Sequence, residues 1–362
     1  MIYVGLDYHT KRSYVSILGD GSEKIYSGEM DSQGELPGFL RNLPDEVKVL
    51  FEAGYGWPRL VRLLKEVDVE LLMCQPDHNR RIACDRRKSD RRDADNLAVY
   101  LKADTFKRAY MPDANVRDQR QLVRNHTCLR HLSTGIKNSI HSLLAYAGEP
   151  KISSDLFAKK NRPYLESVKL PPLARQMLDN NLEVIDLIDD LLKRMDSRIA
   201  ELNRDDPRAR FLKTIPGVGD FTARLLLAEI GDIRRFPADK ALACYTGLTP
   251  RQYQSGDTLR TTGLTKEGSS HMRWALVQAA WVAVRLDPAL GERFEKLRKE
   301  KGCGTAICAI ARRLAEVVWH ILTKQVPYRP QKPQGEGQPV VARGKPESKD
   351  GVVCMSEAQA SP

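Results

Sequence analysis

The chain lacks any apolar run of the roughly eighteen residues needed to cross a membrane as a helix, so no membrane span is expected. It also lacks a CxxC pair: its seven cysteines are scattered and odd in number. That argues against a disulfide framework or a zinc site, and for reduced thiols in a cytoplasmic protein. The opening Met1-Ile2-Tyr3-Val4-Gly5 has neither the basic nor the apolar region of a signal peptide and passes straight into a strand-like alternation. Acidic charge is in deficit. Lys and Arg total 58 against 47 Asp and Glu, a formal net charge of +11 that favours a polyanionic partner without specifying a mechanism. With 41% hydrophobic and 29% charged residues over 362 positions, the composition suits a soluble globular protein of two domains and a spacer.

Against this basic background, acids cluster in Lys88-Ser89-Asp90-Arg91-Arg92-Asp93-Ala94. In the first turn of a helix, Asp90 and Asp93 share one face, which Leu97 continues toward a core. Two such carboxylates could hold a divalent metal, since Mg²⁺ is usually bound by one or two carboxylates plus substrate phosphate. Arg80, Arg81, Arg86, Arg87, Lys88, Arg91 and Arg92 would surround it with phosphate-binding charge, a pattern that suggests metal-assisted chemistry on nucleic acid. An N-capping Asp followed by surface ion pairs explains the heptapeptide equally well.

The first hundred residues read as an α/β unit. Ile2, Val4 and Leu6 alternate with Tyr3 and Gly5 as a half-buried strand, which ends on Asp7. Further strands are expected at 13–18, near 24–28, at 47–51 ending on Glu52, and at 70–74, with a helix over 57–67. Three strands, a crossover, another strand and a late acidic helix form the order of an RNase H-like fold. Asp7 and Glu52 would then meet the Asp90/Asp93 helix at the sheet edge. Singly, each acid has a dull account: Asp7 closes a strand, and Glu52 pairs with an arginine. Their joint placement is harder to reach by accident.

The character then changes. Leu129, Leu132, Ile136, Ile140 and Leu143 mark one helix face, and Ile188, Leu192, Met195, Ile199 and Leu202 repeat that spacing beyond Pro163, Pro171 and Pro172. The two seams fit an antiparallel hairpin or an intermolecular coiled coil, a spacer and oligomerisation arm. Ile215-Pro216-Gly217-Val218-Gly219, before a helical run over 221–230, has a helix-hairpin-helix pattern in which Gly217 and Gly219 would open backbone N–H groups to a phosphate. A plain interhelical turn is the simpler alternative. Ser255 precedes Gly256 in a polar loop, with Arg251 and Arg260 nearby and Lys266 and Arg273 further along. Its hydroxyl could attack phosphorus while these cations stabilise the developing charge. No histidine adjoins it to serve as base, a turn role is the commoner meaning of such a serine, and Ser269 and Ser270 before His271 are rival hydroxyls. Apolar periodicity from Ile307 to Ile321 marks a closing helix. From Pro327 onward Pro, Gly, Lys and Glu dominate, and disorder is expected.

Asp7, Glu52, Asp90 and Asp93, followed by a helical arm and the block from Ile215 to Arg273, resemble the DEDD transposases of the IS110 family. That family includes Piv-type DNA invertases and bridge-RNA-guided recombinases. The likeness covers roughly residues 1–325 and is most specific in the Lys88–Ala94 heptapeptide, Gly247-Leu248-Thr249-Pro250, Ser255-Gly256, and Lys266-Glu267-Gly268 with Arg273. It implies a RuvC-like α/β domain over 1–108, a helical coiled-coil arm over 109–205, a mostly α transposase domain over 206–326 and a tail over 327–362. It implies further that the four acids bind Mg²⁺ (or Mn²⁺) and that Ser255 forms a covalent phosphoserine–DNA link. Donor and target DNA would be recognised with a noncoding bridge RNA, by homodimers assembling to a tetramer at the nucleoid of a bacterial or archaeal cytoplasm. A Piv-type invertase, a hydrolytic RuvC-like junction nuclease using metal-activated water, and a non-enzymatic DNA-binding protein stand as alternatives.

Overall fold

The computed structural model describes residues 1–21, 23–44, 46–75, 89–150, 155–255 and 258–330, with backbone alone for 252–255 and 258–262. The chain divides into two units, Met1–Pro112 and Asp113–Pro362.

In the first unit, β1 (Ile2–Asp7), β2 (Arg12–Leu18) and β3 (Lys24–Asp31) form an antiparallel meander. After α1 (Leu36–Arg41), β4 (Val47–Glu52) returns parallel to β1, and after α2 (Trp57–Leu63), β5 (Glu70–Cys74) adds parallel to β4. The order β3-β2-β1-β4-β5, completed by α3 (Asp90–Lys102), is compatible with the expected RNase H-like domain.

Period-two geometry divides β1 between two faces. Ile2, Val4 and Leu6 are buried with Val15, Ile17, Val49 and Phe51. The opposite face carries Tyr3, Gly5 and Asp7, and on that side Leu97, Tyr100 and Leu101 of α3 pack with Leu50 and Cys74. A Cβ on Gly5 would lie 2.1 Å from the Ala94 carbonyl oxygen and 2.3 Å from the Ala98 nitrogen. Only glycine admits a helix backbone this close to the strand. Across from Gly5 on β2, the fully buried Ser16 donates to Asp95 Oδ1 at 2.6 Å, and Lys24 Nζ meets the same oxygen at 2.9 Å. Burial opposes the Asp95 charge, but these two bonds outweigh it and hold the carboxyl below its ordinary range. They fix the rotation of α3 about its axis.

In the second unit, α4 (Ala114–Tyr146) and α6 (Pro172–Arg204) lie antiparallel. Ile140 and Leu144 meet Leu178 and Leu182 toward one end, beside Leu165 of α5 (Arg162–Ser167), while His126 Nε2 and Asp196 Oδ1 are 2.9 Å apart toward the other. Ile188, Leu192 and Ile199 are buried as their spacing predicts, and on α4 Ile136, Ile140 and Leu143 of the expected stripe pack in the core while Leu132 does not. Leu132 is 53% exposed, whereas His126, Thr127 and Ser133 are buried. In this seam Thr127 Oγ1 donates to the Val123 carbonyl, and His126 stacks on Phe221 at 4.0 Å while its Nδ1 has no hydrogen-bond partner among the described residues.

The remaining helices are α7 (Pro207–Leu212), α8 (Asp220–Ile230), α9 (Asp239–Tyr245), α10 (Ser270–Leu286), α11 (Pro288–Lys301) and α12 (Cys303–Lys324). They enclose a core that includes Leu225, Leu226, Leu242, Leu276, Ile310 and Leu314. The helices expected to form an arm over 109–205 share this compact unit. Buried Arg224 of α8 donates to Gln119 of α4 at 3.1 Å and to Asn203 Oδ1 and the Leu202 carbonyl of α6 at 2.9 and 2.6 Å. Two expectations are corrected here. The polar loop around Ser255 is a hairpin of β6 (Pro250–Ser255) and β7 (Thr258–Leu264), whose ladder satisfies the backbone of its polar residues. The segment after Pro327 begins ordered: the Tyr328 N–H donates to Thr214 Oγ1 at 2.7 Å and its hydroxyl to Asp287 Oδ2 at 2.6 Å, with the ring against the core. The rest of the expected tail, 331–362, lies outside the described residues. No helix among the described residues is long and apolar enough to cross a membrane.

Gly5→Ala is expected to destabilise the protein by about 2–4 kcal/mol in denaturant unfolding, because the new methyl meets helix backbone that cannot yield locally. Gly38→Ala in α1, where nothing lies within 4 Å of the added carbon, is the control. It is expected to stabilise by no more than about 1 kcal/mol.

Candidate active site

The parallel strands β1 and β4 end side by side, so Asp7 and Glu52 stand one step beyond the Leu6–Phe51 pairing. Two residues past Gly5, Asp7 shares its face and is turned toward α3. Ser89 caps that helix, its Oγ accepting the Arg92 N–H at 3.4 Å. The N-cap is therefore the serine rather than Asp90, and Asp90 and Asp93 both stand in the first turn, where the helix dipole favours acids. The close approach at Ala94 brings this turn to the strand end.

The acids act together on Asp7. Burial pushes its carboxyl above the ordinary range, His9 pulls it down, and Asp90, Asp93 and Glu52 each push it up again. Mutual repulsion among carboxylates is what a bound cation would relieve, and a divalent ion with oxygen ligands fits this donor set. His9, absent from the expected residues, also stands here. Its Nε2 is 3.4 Å from Asp7 Oδ2 and 3.9 Å from Asp90 Oδ2. Ligand atoms of Asp7, His9 and Asp90 all lie within 4.8 Å of one another. The only sequence signal for His9 is its position two residues past Asp7 on an extended segment. Among the described residues, His9 and Asp90 are exposed and Asp7 is half-buried. Cavities of about 490, 510 and 400 Å³ among the described residues are all in the second unit.

Of the cations expected beside these acids, Arg91 and Arg92 are exposed on α3, while Arg80, Arg81, Arg86, Arg87 and Lys88 lie outside the described residues. In the second unit, Ser255 ends β6 opposite Thr258, and Arg260 on β7 pairs with Tyr253. Arg251 is exposed and donates to the Thr265 carbonyl at 3.3 Å; Lys266 is exposed with φ of 54°. Arg273 turns inward, its Nη1 donating to the carbonyls of Thr246 and Lys266 at 3.2 and 3.3 Å, so it braces the base of the hairpin. Gly217 also faces inward: a Cβ there would lie 2.4 Å from the Ala279 carbonyl oxygen of α10. Gly219 has nothing within 4 Å of that position and forms the N-cap of α8. Asp220, bonded by Lys213 at 2.7 Å and Asn203 at 2.9 Å, puts a carboxylate in the same first turn, where a phosphate was expected. The rival hydroxyl of Ser269 is committed, donating to Glu229 Oε2 at 3.1 Å and accepting from the Met272 N–H.

Residues 4–147 match a transposase family model of the IS110 DEDD type, and residues 209–295 match the transposase IS116/IS110/IS902 family. The first span contains Asp7, Glu52, Asp90 and Asp93, and the second contains Ser255. The chain is similar to the transposase for insertion sequence element IS1111A of Coxiella burnetii, 26% identical over 78% of this chain and 79% of that one. It is 24% identical to the transposase for IS1328 of Yersinia enterocolitica, over 81% of this chain and 88% of that one. The pilin gene-inverting protein of Moraxella bovis is 33% identical over 38% of this chain and 45% of its own.

Because folding raises the Asp7 pKa, its charged form weakens the fold at neutral pH. That penalty fades as pH falls through the folded pKa and is gone below the unfolded value. With a chelator present, Asp7→Asn is expected to raise Tm at pH 7 by about 2–4 °C. The gain should vanish below about pH 4. A lower Tm at pH 7 would contradict the repulsion.

Proposed function

We propose, from the premise that the chain belongs to the IS110 family of DEDD transposases, that it cuts and rejoins DNA through a covalent serine–DNA intermediate dependent on a metal held by four acids. The observation that carries this reading is the joint action of Glu52, Asp90 and Asp93 on the partly buried carboxyl of Asp7.

Asp7, Glu52, Asp90 and Asp93 would hold a divalent ion, Mg²⁺ or Mn²⁺, which supplies Lewis-acid polarisation of the scissile phosphate. Arg91 and Arg92, exposed on the same helix, bind and orient the flanking phosphates. Ser255 Oγ forms a bond to phosphorus as the bridging bond to one deoxyribose oxygen breaks. The serine gives up its proton and the departing oxygen takes one. The resulting phosphoserine ester retains the energy of the phosphodiester, so the hydroxyl of another strand can attack it, rejoin the DNA and release the serine. Abundant phosphate-binding charge with no base-reading motif suits a protein that leaves sequence recognition to a noncoding bridge RNA paired with donor and target DNA. Homodimers assembling to a tetramer at the nucleoid complete this reading. Similarity to the pilin gene-inverting protein favours DNA inversion as the second reading, with the same chemistry at different DNA sites.

The test is a trapping assay with divalent metal, co-purified RNA and a nicked donor DNA whose cleavage cannot reverse. Wild type is expected to give a protein–DNA adduct on a denaturing gel, and Ser255→Ala and Asp90→Ala to reduce it more than about 100-fold. Cut DNA without an adduct, undiminished by Ser255→Ala, would replace the serine mechanism with hydrolysis by a RuvC-like nuclease. Binding without any cutting by wild type would leave a DNA-binding protein.

A further inference from the structure

His9 extends the acid cluster with a nitrogen. Its main chain is held by two serine hydroxyls. The His9 N–H donates to Ser13 Oγ at 3.2 Å and its carbonyl accepts from Ser32 Oγ at 2.6 Å, while the two hydroxyls bond each other at 2.7 Å. Both serines are fully buried. The imidazole beyond this anchor is 60% exposed and points at the acids, 3.4 Å from one Asp7 oxygen and 3.9 Å from one Asp90 oxygen. Both separations exceed a good N–H···O hydrogen bond. They are the separations of ligands around a common ion: with bonds of about 2.1 Å, adjacent octahedral donors lie about 3 Å apart and opposite ones about 4.2 Å. The third edge, between the Asp7 and Asp90 oxygens, is no longer than 4.8 Å, the bound within which all three ligand atoms fall.

We propose that His9 is a nitrogen ligand of the divalent ion at the Asp7 site, making it a mixed imidazole–carboxylate centre that favours Mn²⁺ over Mg²⁺ more than four carboxylates would. The inference rests on the reading of the acids as a metal site. Mg²⁺ is a hard ion that takes oxygen and keeps its waters, whereas transition ions accept imidazole readily. Asp7 and His9 supply two donors from one strand end, and Asp90 supplies a third from α3, so the ion would join strand to helix. An imidazole that merely pairs with Asp7 adds no nitrogen to the ion.

The experiment uses the full chain with one equivalent of Mn²⁺ and no other metal. Pulsed electron paramagnetic resonance reads ¹⁴N coupling to the ion, and titration reads affinity. Wild type is expected to bind Mn²⁺ with a ¹⁴N coupling. His9→Gln should keep the melting profile, lose the coupling and bind Mn²⁺ about 10–100-fold more weakly, with its Mg²⁺ affinity changed less than about threefold. Asp7→Asn should lose tight Mn²⁺ binding altogether. Mn²⁺ bound by wild type without ¹⁴N coupling, or a coupling that survives in His9→Gln, would overturn the role of His9 and leave the acids as a metal site. No Mn²⁺ bound by wild type at millimolar concentration would overturn both.

Discussion

The contact between the backbone of α3 and the backbone of β1 at Gly5 governs the first unit. Strand and helix meet with no side chain between them, because a single methyl would lie 2.1 Å from a carbonyl oxygen. The contact sets the distance between sheet and helix, and the Ser16–Asp95–Lys24 group sets the angle. Once both are set, the position of Asp90 and Asp93 follows from helix geometry, and that of Asp7 from strand alternation. The acids are placed by apolar packing and main-chain geometry at one remove, which is how charges that repel one another can be held together. The stabilising burial of Leu97, Tyr100 and Leu101 lies along the same helix and offsets the repulsion at its first turn.

Asp7 and Glu229 are treated in opposite ways. Glu229 in the second unit is 1% exposed, yet its carboxyl lies below the ordinary range. Burial there is outweighed by Arg124, which bonds both carboxylate oxygens at 2.7 and 3.1 Å. Removing such a partner strands a buried charge, so the pair reads as a helix-to-helix tie. Among the described residues Asp7 has no comparable counter-charge: burial and three like charges raise it, and His9 opposes them. An acid left in that condition is destabilising in the metal-free protein, which is the usual mark of a group placed for binding or chemistry.

Much of the first unit was legible in the sequence because β1 alternates cleanly and β1 and β4 end where expected, on Asp7 and Glu52. Ile2, Val4 and Leu6 declare a face, and Asp7 follows from it. The second unit was harder to read for physical reasons. His126, Thr127 and Ser133 are buried on α4 while Leu132 is exposed, so apolar spacing alone does not mark the buried face of that part of the helix. The hairpin at 250–264 is built mostly from polar residues, so its sequence carries little of the apolar alternation that marks a buried strand. Gly217 and Arg273 resemble phosphate-binding groups by type, yet their surroundings use them internally: one lets α10 come close, the other ties two carbonyls. His9 escapes notice because a lone histidine in a polar turn acquires meaning only when a helix that starts eighty residues later docks beside it.

The central position of β1 has a consequence for the order in which the protein comes into being. A nascent chain carries Asp7 from its first strand, but β1 lies between β2 and β4, and α3 rests on β1 itself. The ribosome must release the chain through Lys102 before that helix can dock, and Asp90 and Asp93 arrive only with it. The four carboxylates therefore cannot stand together until α3 has been synthesised and has docked on β1.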